Sequence, residues 1–172
     1  DYSRLPTDPG HLMLTDLNEV VDNVRADLEL LISEKGASIE CDPLPAIPGM
    51  PLPLHQLFAN LIGNGLKFSR TNPRIRILRQ VVPGYQLQEV FKANPLKQYV
   101  QLQFQDNGIG FEDRYKTQIF TIFQRLHGLQ QYAGTGIGLA LCKKIVENHN
   151  GIIQASSTKS QGATFEIYLP AT

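Results

Sequence analysis

The chain has 172 residues, of which 42% are hydrophobic, and its sixteen basic residues balance sixteen acidic ones. This length suits one domain with a substantial core, and a zero net charge provides no overall field to attract nucleic acid or anionic lipid. We therefore expect no nucleic-acid partner, and local geometry must hold any anionic ligand.

The first 41 residues predict a strand, a long helix and a second strand. Leu12 to Thr15 forms the first strand, and Asp16, followed three residues later by a glutamate, suits a capping box. Apolar residues then recur at helical spacing from Leu17 to Lys35, and Gly36 ends this helix. The second strand covers Ala37 to Cys41.

The middle of the chain predicts one helix and two strands. Pro43 to Pro53 is a proline-broken loop, and a second helix runs from about Pro53 to Phe68. Alternating residues predict strands over Arg74 to Val82 and over Tyr99 to Gln105. Pro83 to Pro95 lacks periodicity, so we expect a surface excursion with little functional content.

The last third predicts two helices and two strands. Arg114 to Phe123 suggests a third helix, and an aperiodic stretch follows from Gln124 to Thr135. Ile137 to Asn148 is a fourth helix, which Gly151 closes. Two strands complete the domain, Ile152 to Ser156 and Thr164 to Leu169. This order of elements predicts an α+β fold, a sandwich with helices on one face of a mostly antiparallel sheet.

Cys41 and Cys142 have no metal-binding or redox spacing, so we expect buried, inert thiols in a reducing compartment. No apolar run approaches the roughly 20 residues of a membrane span. We therefore expect a cytoplasmic domain, and the sequence leaves membrane anchoring of the full-length protein open. No initiator methionine precedes Asp1, so we expect further sequence upstream.

Three polar residues share one face of the second predicted helix. Asn60 and Asn64 lie one turn apart, and Lys67 follows three residues later. Asparagine is a mediocre helix former, because its amide competes for backbone hydrogen bonds. An Asn carbonyl can ligate Mg²⁺ and an ammonium can neutralise phosphate, so the face suits a bound polyphosphate. The alternative is an ordinary solvated helix face.

Two glycine-containing motifs follow. Asp106 to Gly110 comes directly after a strand, where a carboxylate can accept a hydrogen bond from the exocyclic amine of a base, although a plain turn is an alternative. Gly134 to Leu139 opens the fourth helix, and the free N–H groups of a helix start suit phosphates. It matches neither the dinucleotide motif nor a P-loop, and a hinge is the alternative. Thr164 could add a hydroxyl near the base.

These motifs, in this order, resemble the ATPase-like domain shared by histidine kinases and their relatives. The matching segments are Asn60 to Phe68 (the N box), Asp106 to Gly110 (G1), Phe120 to Phe123 (F), Gly134 to Gly138 (G2) and Thr164 (the adenine-side threonine). The resemblance covers about Leu12 to Pro170 and implies the Bergerat fold, a two-layer α/β sandwich. Phe123 to Gly128 is similar to phytochrome-like and hybrid sensors. One departure is Gly65, where the family usually has Ala, at a cost of roughly 0.5–1 kcal/mol.

The resemblance implies roles for the matching residues. Asn64 would bind Mg²⁺, while Asn60 and Lys67 would act at the ATP phosphates as catalytic residues. Asp106 would bind adenine, and Arg125 would add a phosphate contact. The other implied ATP-binding residues are Gly108, Gly110, Gly134, Gly136, Gly138 and Thr164. The aperiodic segment from about Arg125 to Thr135 is predicted to be a mobile lid.

One position separates the possible activities. Related ATPases carry a general-base Glu one helical turn before the metal-binding Asn, whereas Asn60 stands there in this chain. An amide cannot take a proton, so transfer of the γ-phosphate of ATP to a histidine is favoured over hydrolysis. The sequence therefore predicts the catalytic domain of a bacterial two-component sensor histidine kinase. A hydrolytic ATPase and a nucleotide-binding pseudokinase are the alternatives.

The resemblance also implies partners. None of the four histidines has the surroundings of a phosphoacceptor, so we expect the acceptor upstream. Asp1 to Leu5 resembles the end of a dimerisation helix, which predicts a helix end and linker over residues 1–10 and the ATP-binding domain over 11–172. The expected partners are the upstream dimerisation and phosphoacceptor domain, a response regulator receiver domain, and a second copy in a homodimer.

Overall fold

A computed structural model describes residues 12–69, 72–121, 138–157 and 161–172. The four helices of this part are α1 (Leu17–Asp27), α2 (Glu29–Lys35), α3 (Pro51–Lys67) and α4 (Gly138–Asn148). The seven strands are β1 (Met13–Asp16), β2 (Ser38–Cys41), β3 (Ala46–Gly49), β4 (Arg74–Pro83), β5 (Gln98–Asp106), β6 (Ile152–Ser157) and β7 (Ala163–Pro170).

Five strands form the main sheet in the order β2-β4-β5-β7-β6. The β2 and β4 pair is parallel and the other three pairs are antiparallel. Strands β1 and β3 form a separate antiparallel pair. The predicted α+β sandwich with a mostly antiparallel mixed sheet is confirmed.

The core lies between the helices and one face of this sheet. Alternation along β5 and β7 turns apolar side chains toward the helices, among them Leu102, Phe104 and Ile167. The ring of Phe58 on α3 meets the ring of Phe104 edge to face, with centroids 5.2 Å apart. Strand β5 is therefore buried by α3 on one face, and its last residue, Asp106, lies beside that helix.

The helix predicted over Leu17 to Lys35 is wrong in one respect, because Leu28 divides it into α1 and α2. Leu28 has φ −101° and ψ 10°, which is not helical, and its N–H bonds to the carbonyl of Val24. The apolar spacing continues through the break, so Leu31 and Ile32 still pack partly against the core. Periodicity alone does not register an interruption of one residue.

The proline-broken loop predicted over Pro43 to Pro53 contains a strand. Strand β3 pairs with β1, and Pro48 lies opposite Leu14. Proline cannot donate to a strand ladder, but this pair has only two strands, so one edge of each needs no donor. Pro51 then occupies the first turn of α3, where a missing N–H costs nothing.

The third helix predicted over Arg114 to Phe123 is also wrong. Asp113–Tyr115 and Gln118–Phe120 form two separate short 3₁₀ turns, while residues 122 and 123 lie outside the described part. The tighter turns bury Phe120, whose ring lies 6.2 Å from that of Phe165. Packing of this aromatic pair decides the local structure against helical propensity.

Two further predictions need correction. The excursion over Pro83 to Pro95 is not merely superficial, since Leu87 and Ala93 are buried against Tyr99 and Tyr168 in a second small hydrophobic cluster. Helix α4 is closed by Asn150, which takes the left-handed conformation with φ 60°. Gly151, the residue predicted for that role, follows it.

The prediction of buried thiols is confirmed for Cys142 and only in part for Cys41. Cys142 is fully buried, and burial raises its thiol pKa far above the ordinary value. Cys41 is half-buried, and burial raises its thiol pKa as well. Among the described residues, no cluster of three or more His, Cys, Asp or Glu side chains could hold a metal ion. No helix in this part of the chain is long and apolar enough to cross a membrane.

Candidate functional site

Asp106 is the centre of the candidate site. It ends β5 on the face that the helices cover, and its Oδ1 accepts hydrogen bonds from the N–H of Gly108 at 2.9 Å and of Ala163 at 3.2 Å. Burial raises the pKa of this carboxyl above its ordinary value, and the two N–H donors oppose that rise. No hydrogen bond from the described residues goes to Oδ2. Within the described part of the chain, the carboxylate is therefore held through one oxygen only.

A small cavity of about 60 Å³ opens beside this carboxylate. Its walls are largely apolar, with aromatic and branched side chains, and Asn64 forms part of them. The lining residues are Asn64, Phe68, Asp106, Ile109, Gly110, Phe111, Ile119, Leu139, Ala163 and Phe165. A cavity with largely apolar walls and a carboxylate acceptor suits recognition of the edge of a heterocyclic base.

The loop after β5 is fastened to the end of α3. The N–H of Ile109 donates to the carbonyl of Phe68 at 3.0 Å. A Cβ on Gly108 would lie only 2.6 Å from that same carbonyl oxygen, so only glycine allows this approach. The helix that carries Asn64 and the loop that follows Asp106 thus form one connected unit.

A serine fastens the other side of the cavity. The hydroxyl of Ser157, at the end of β6, donates to the carbonyl of Gly162 at 2.6 Å and accepts from the N–H of Phe111 at 2.8 Å. Gly162 has φ 94°, and a Cβ there would lie 2.0 Å from the Asp106 carbonyl oxygen. Ser157 therefore joins the loop that carries Phe111, a wall residue of the cavity, to Gly162, the residue before Ala163.

The polar face of α3 lies next to the start of α4. Asn60 and Asn64 are half-buried, whereas Lys67 is exposed. A Cβ on Gly138, the first residue of α4, would lie 3.2 Å from Oδ1 of Asn60. The structure thus brings the Asn60 amide to the N-terminus of a helix, where backbone N–H groups and the helix dipole favour an anion.

The structure brings some of the predicted site residues together and not others. Asn64, Asp106 and Gly110 share one cavity, and Asn60 lies beside Gly138. Thr164 does not reach this cavity: it lines a separate one along the β6 edge of the sheet, together with Lys143. Three further predicted residues lie outside the described part, as does the predicted lid over 125–135: Arg125, Gly134 and Gly136.

Sequence reasoning missed several residues of the cavity. Ala163 supplies an N–H to Asp106, and Phe165 forms a wall, because residues of one strand that are two apart share a face. Thr164, between them, belongs to the opposite face. Applying this alternation to the predicted last strand would have indicated Ala163 and Phe165 as residues on the helix side of the sheet. The role of Ser157 depends on tertiary contacts, so no local pattern indicates it.

The chain belongs to the family of histidine kinase-, DNA gyrase B- and HSP90-like ATPases, whose family model matches residues 49–172. This confirms the resemblance inferred from the ordered motifs, and with it an ATP-binding catalytic domain. The assignment rests on a match to most of the chain, and the fold and the Asp106 cavity agree with it.

Within this family the chain is similar to phytochromes and to a sensor protein kinase. It is 39% identical to phytochrome-like protein Cph1 of Synechocystis over 170 residues, which is 98% of this chain and 21% of that protein. Identity to cyanobacterial phytochrome A of Nostoc is also 39%, over 98% of this chain and 20% of that protein. The sensor protein kinase WalK of Staphylococcus aureus is 36% identical over 70% of this chain and 26% of that protein. The chain thus spans about a fifth of the phytochromes that it matches.

Solved structures show the same fold. The mycobacterial sensor histidine kinase MprB superposes with a TM-score of 0.73 at 23% identity, over 92% of this chain and 97% of that one. Full-length ShkA in complex with AMPPNP gives a TM-score of 0.73 at 23% identity, over 94% of this chain and 31% of that one. The catalytic domain of histidine kinase ThkA gives 0.72 at 22% identity, over 94% and 98%. The predicted Bergerat fold is confirmed.

Proposed function

We propose that the protein containing this chain is a sensor histidine kinase, and that this domain binds ATP and presents its γ-phosphate to a histidine upstream. The observation that carries the proposal is the state of Asp106. One carboxylate oxygen is fixed by two backbone N–H groups, the other accepts no hydrogen bond from the described residues, and the side chain lines a cavity with apolar walls. Such a site suits a ligand that presents an uncharged edge with a hydrogen-bond donor.

The base side of the site accounts for selectivity toward adenine. In the proposed complex Oδ2 of Asp106 accepts from the exocyclic amine of adenine, while Phe68, Phe111 and Leu139 cover the ring. Guanine presents a carbonyl oxygen at the corresponding edge, and two acceptors would then face one another in a site with little water. We therefore expect the domain to reject guanine nucleotides.

The phosphate side would be formed by α3 and the start of α4. Asn64 would hold Mg²⁺ through its amide oxygen. This choice fits the donors present, because Mg²⁺ takes few protein ligands and completes its shell with phosphate oxygens and water. The bound ion would supply neutralisation of the developing phosphate charge. Asn60, Lys67 and the N-terminus of α4 at Gly138 would orient the phosphates. Arg125, Gly134 and Gly136 are proposed to complete this side.

The proposed chemistry is phosphoryl transfer rather than hydrolysis. Asn60 occupies the position at which a general base would activate water, and its amide has no basic site for a proton. A histidine imidazole is nucleophilic without such help. The domain therefore has to position the γ-phosphate and exclude water, while the acceptor histidine makes the new bond to phosphorus and ADP leaves.

The wider context follows from the relatives. This chain matches only a fraction of the length of its relatives, which are named sensor protein kinase and phytochrome-like protein. We propose that the full protein carries an upstream dimerisation and phosphoacceptor domain, acts as a homodimer in the cytoplasm, and passes phosphate to a response regulator receiver domain. Thr164 is kept as a lesser candidate, at the edge of the sheet rather than at the base.

The experiment compares this domain with a longer protein that includes the upstream helices. Calorimetry should show that the domain binds a non-hydrolysable ATP analogue with Mg²⁺ and does not bind the GTP equivalent. Radiolabelled ATP should then label the longer protein, and the label should be acid-labile and base-stable, as expected of phosphohistidine. Steady ATP hydrolysis by the domain would favour an ATPase. Binding without labelling of the longer protein would favour a pseudokinase.

A further inference from the structure

Gly65 lies where α3 makes a tight contact with the sheet. A Cβ at this position would be 3.0 Å from Cδ1 and 3.1 Å from Cγ1 of Ile75, and 3.3 Å from Cβ of Asp106. Ile75 and Asp106 are cross-strand partners in the register of β4 and β5. Gly65 thus packs its bare Cα surface onto the residue pair that carries the central carboxylate.

Neither neighbour can move aside easily. Ile75 is 2% exposed and belongs to the main core, so its ethyl group has no open space to enter. Asp106 is held through Oδ1 by the N–H groups of Gly108 and Ala163, and a shift of its Cβ would lengthen those bonds. A methyl at Gly65 would therefore be accommodated by moving α3 outward from the sheet.

We propose that Gly65 and Ile75 are a matched pair that sets the separation between Asn64 on α3 and Asp106 on β5. Gly65 is a positioning residue, since it acts through the spacing of two elements and touches no ligand. The geometry is independent of any ligand. Its effect on nucleotide affinity rests on the proposed function, because Asn64 and Asp106 would hold opposite ends of the same molecule.

The test uses Gly65→Ala, Ile75→Val and the double variant. In the nucleotide-free domain, we expect Gly65→Ala to move the amide NMR signals of Gly108 and Ala163. Affinity for a Mg²⁺-bound ATP analogue should fall about tenfold, since small misplacements of reacting groups are costly. Valine lacks Cδ1, the atom nearest to the added methyl, and keeps Cγ1, so the double variant should recover the amide signals and the affinity in part.

Gly63→Ala is the matched control, because within the described residues a Cβ there meets no atom beyond its own helix within 4 Å. It should raise the melting temperature by about 2–4 °C through helix propensity and leave the Gly108 and Ala163 signals in place. If Gly65→Ala does not fold, recovery of folding in the double variant supports the pair.

Three results would overturn the proposal. The first is a Gly65→Ala variant whose Gly108 and Ala163 amide signals do not move. The second is a double variant in which neither the signals nor the affinity recover. The third applies if Gly65→Ala does not fold, and it is a double variant that stays unfolded as well. Failure of the unaltered domain to bind ATP would instead contradict the proposed function. The amide signals would still decide the role of Gly65 in that case.

Discussion

Two titratable side chains, the half-buried Asp106 and the buried His149, are held in different ways. His149 is 5% exposed and uses both ring nitrogens: Nδ1 donates to the Ile145 carbonyl at 2.8 Å, and Nε2 accepts from the Met50 N–H at 3.0 Å. Asp106 uses only Oδ1 toward the described residues. The histidine joins the end of α4 to the start of α3, while the aspartate borders a cavity.

This difference distinguishes a polar group that stabilises the fold from a polar group that can bind a ligand. A buried polar group whose capacity is fully used stabilises the fold and has nothing to offer a ligand. A polar group that borders a cavity and still has an unused hydrogen-bonding position has lost water without gaining a partner there. This favours the binding of a molecule that supplies the missing hydrogen bond. The sequence does not predict His149 as a site residue, and its hydrogen bonds in the structure agree with that.

The largest effect is expected from Asp106→Asn. The amide can keep its oxygen toward Gly108 and Ala163, so its NH₂ group would then face the amine of adenine. Two donors in contact in a desolvated site should weaken ATP binding by at least about 100-fold, or about 3 kcal/mol. Calorimetry measures the affinity, and circular dichroism should show an intact fold. An affinity equal to that of the unaltered domain would remove Asp106 from the site.

His149→Ala should do the reverse, with a loss of stability and little change in affinity. It leaves the Met50 N–H without an acceptor and opens a cavity between α3 and α4, at a cost of about 2–4 kcal/mol. Urea denaturation measures this change. His149→Gln is the matched control, because its amide oxygen can replace Nε2 and retain part of the stability. Equal stability of all three proteins would show that these hydrogen bonds contribute nothing.

Ser157→Ala tests whether ATP affinity depends on the two hydrogen bonds that the Ser157 hydroxyl makes beside the cavity. The Phe111 N–H loses its acceptor and the Gly162 carbonyl loses its donor, so the two loops should become looser. We expect ATP affinity to fall about fivefold, corresponding to about 1 kcal/mol. Ser157→Thr keeps the hydroxyl and should bind ATP like the unaltered domain. A threonine variant as weak as the alanine variant would point to shape rather than hydrogen bonding.

The remaining effect concerns the pH dependence of stability. Burial lowers the pKa of His149, and the hydrogen bond to Ile145 opposes that shift, so the folded protein favours the neutral ring. Its contribution to stability is complete above the ordinary pKa of 6.5 and is lost as the pH falls toward the folded pKa. The slope is at most about 1.4 kcal/mol per pH unit.

Asp106 acts in the opposite direction on stability, because its raised pKa means that protonation relieves a buried charge. Acidification should nevertheless weaken ATP binding, since a protonated carboxyl is a poorer acceptor. The free energy of unfolding can be measured between pH 7 and 5 for the unaltered domain and for His149→Gln. The difference between the two proteins gives the contribution of His149 to the pH dependence of stability. An identical pH dependence in both proteins would exclude His149 as its source.

Much of the fold follows from the sequence because its periodic segments are long. The alternation along β5 and the apolar spacing of α3 are strong local patterns, and both elements lie within about two residues of their predicted bounds. The errors occur where a tertiary contact decides. Burial of Phe120 against Phe165 forms 3₁₀ turns in place of a helix, and pairing with β1 makes a strand from a segment that contains Pro48.

The candidate site divides in the same way. Asn64, Asp106 and Gly110 could be selected from sequence, because they lie in motifs whose order resembles that of the family. Ala163 and Ser157 could not, since alanine and serine are common and act here through an N–H group and a hydroxyl that meet their partners only in the folded chain. Thr164 was selected because of its chemistry, and the alternation of β7 places it on the other face.

The small second cluster has a consequence for engineering. The turn between β4 and β5 has its own core, in which Leu87 and Ala93 meet Tyr99, while Leu96 at the tip is 93% exposed. It lies at the opposite end of β5 from Asp106, about 26 Å along the strand. A fluorophore or an inserted domain at Leu96 would hence be carried by a self-supporting turn, and the nucleotide site could be observed without being disturbed.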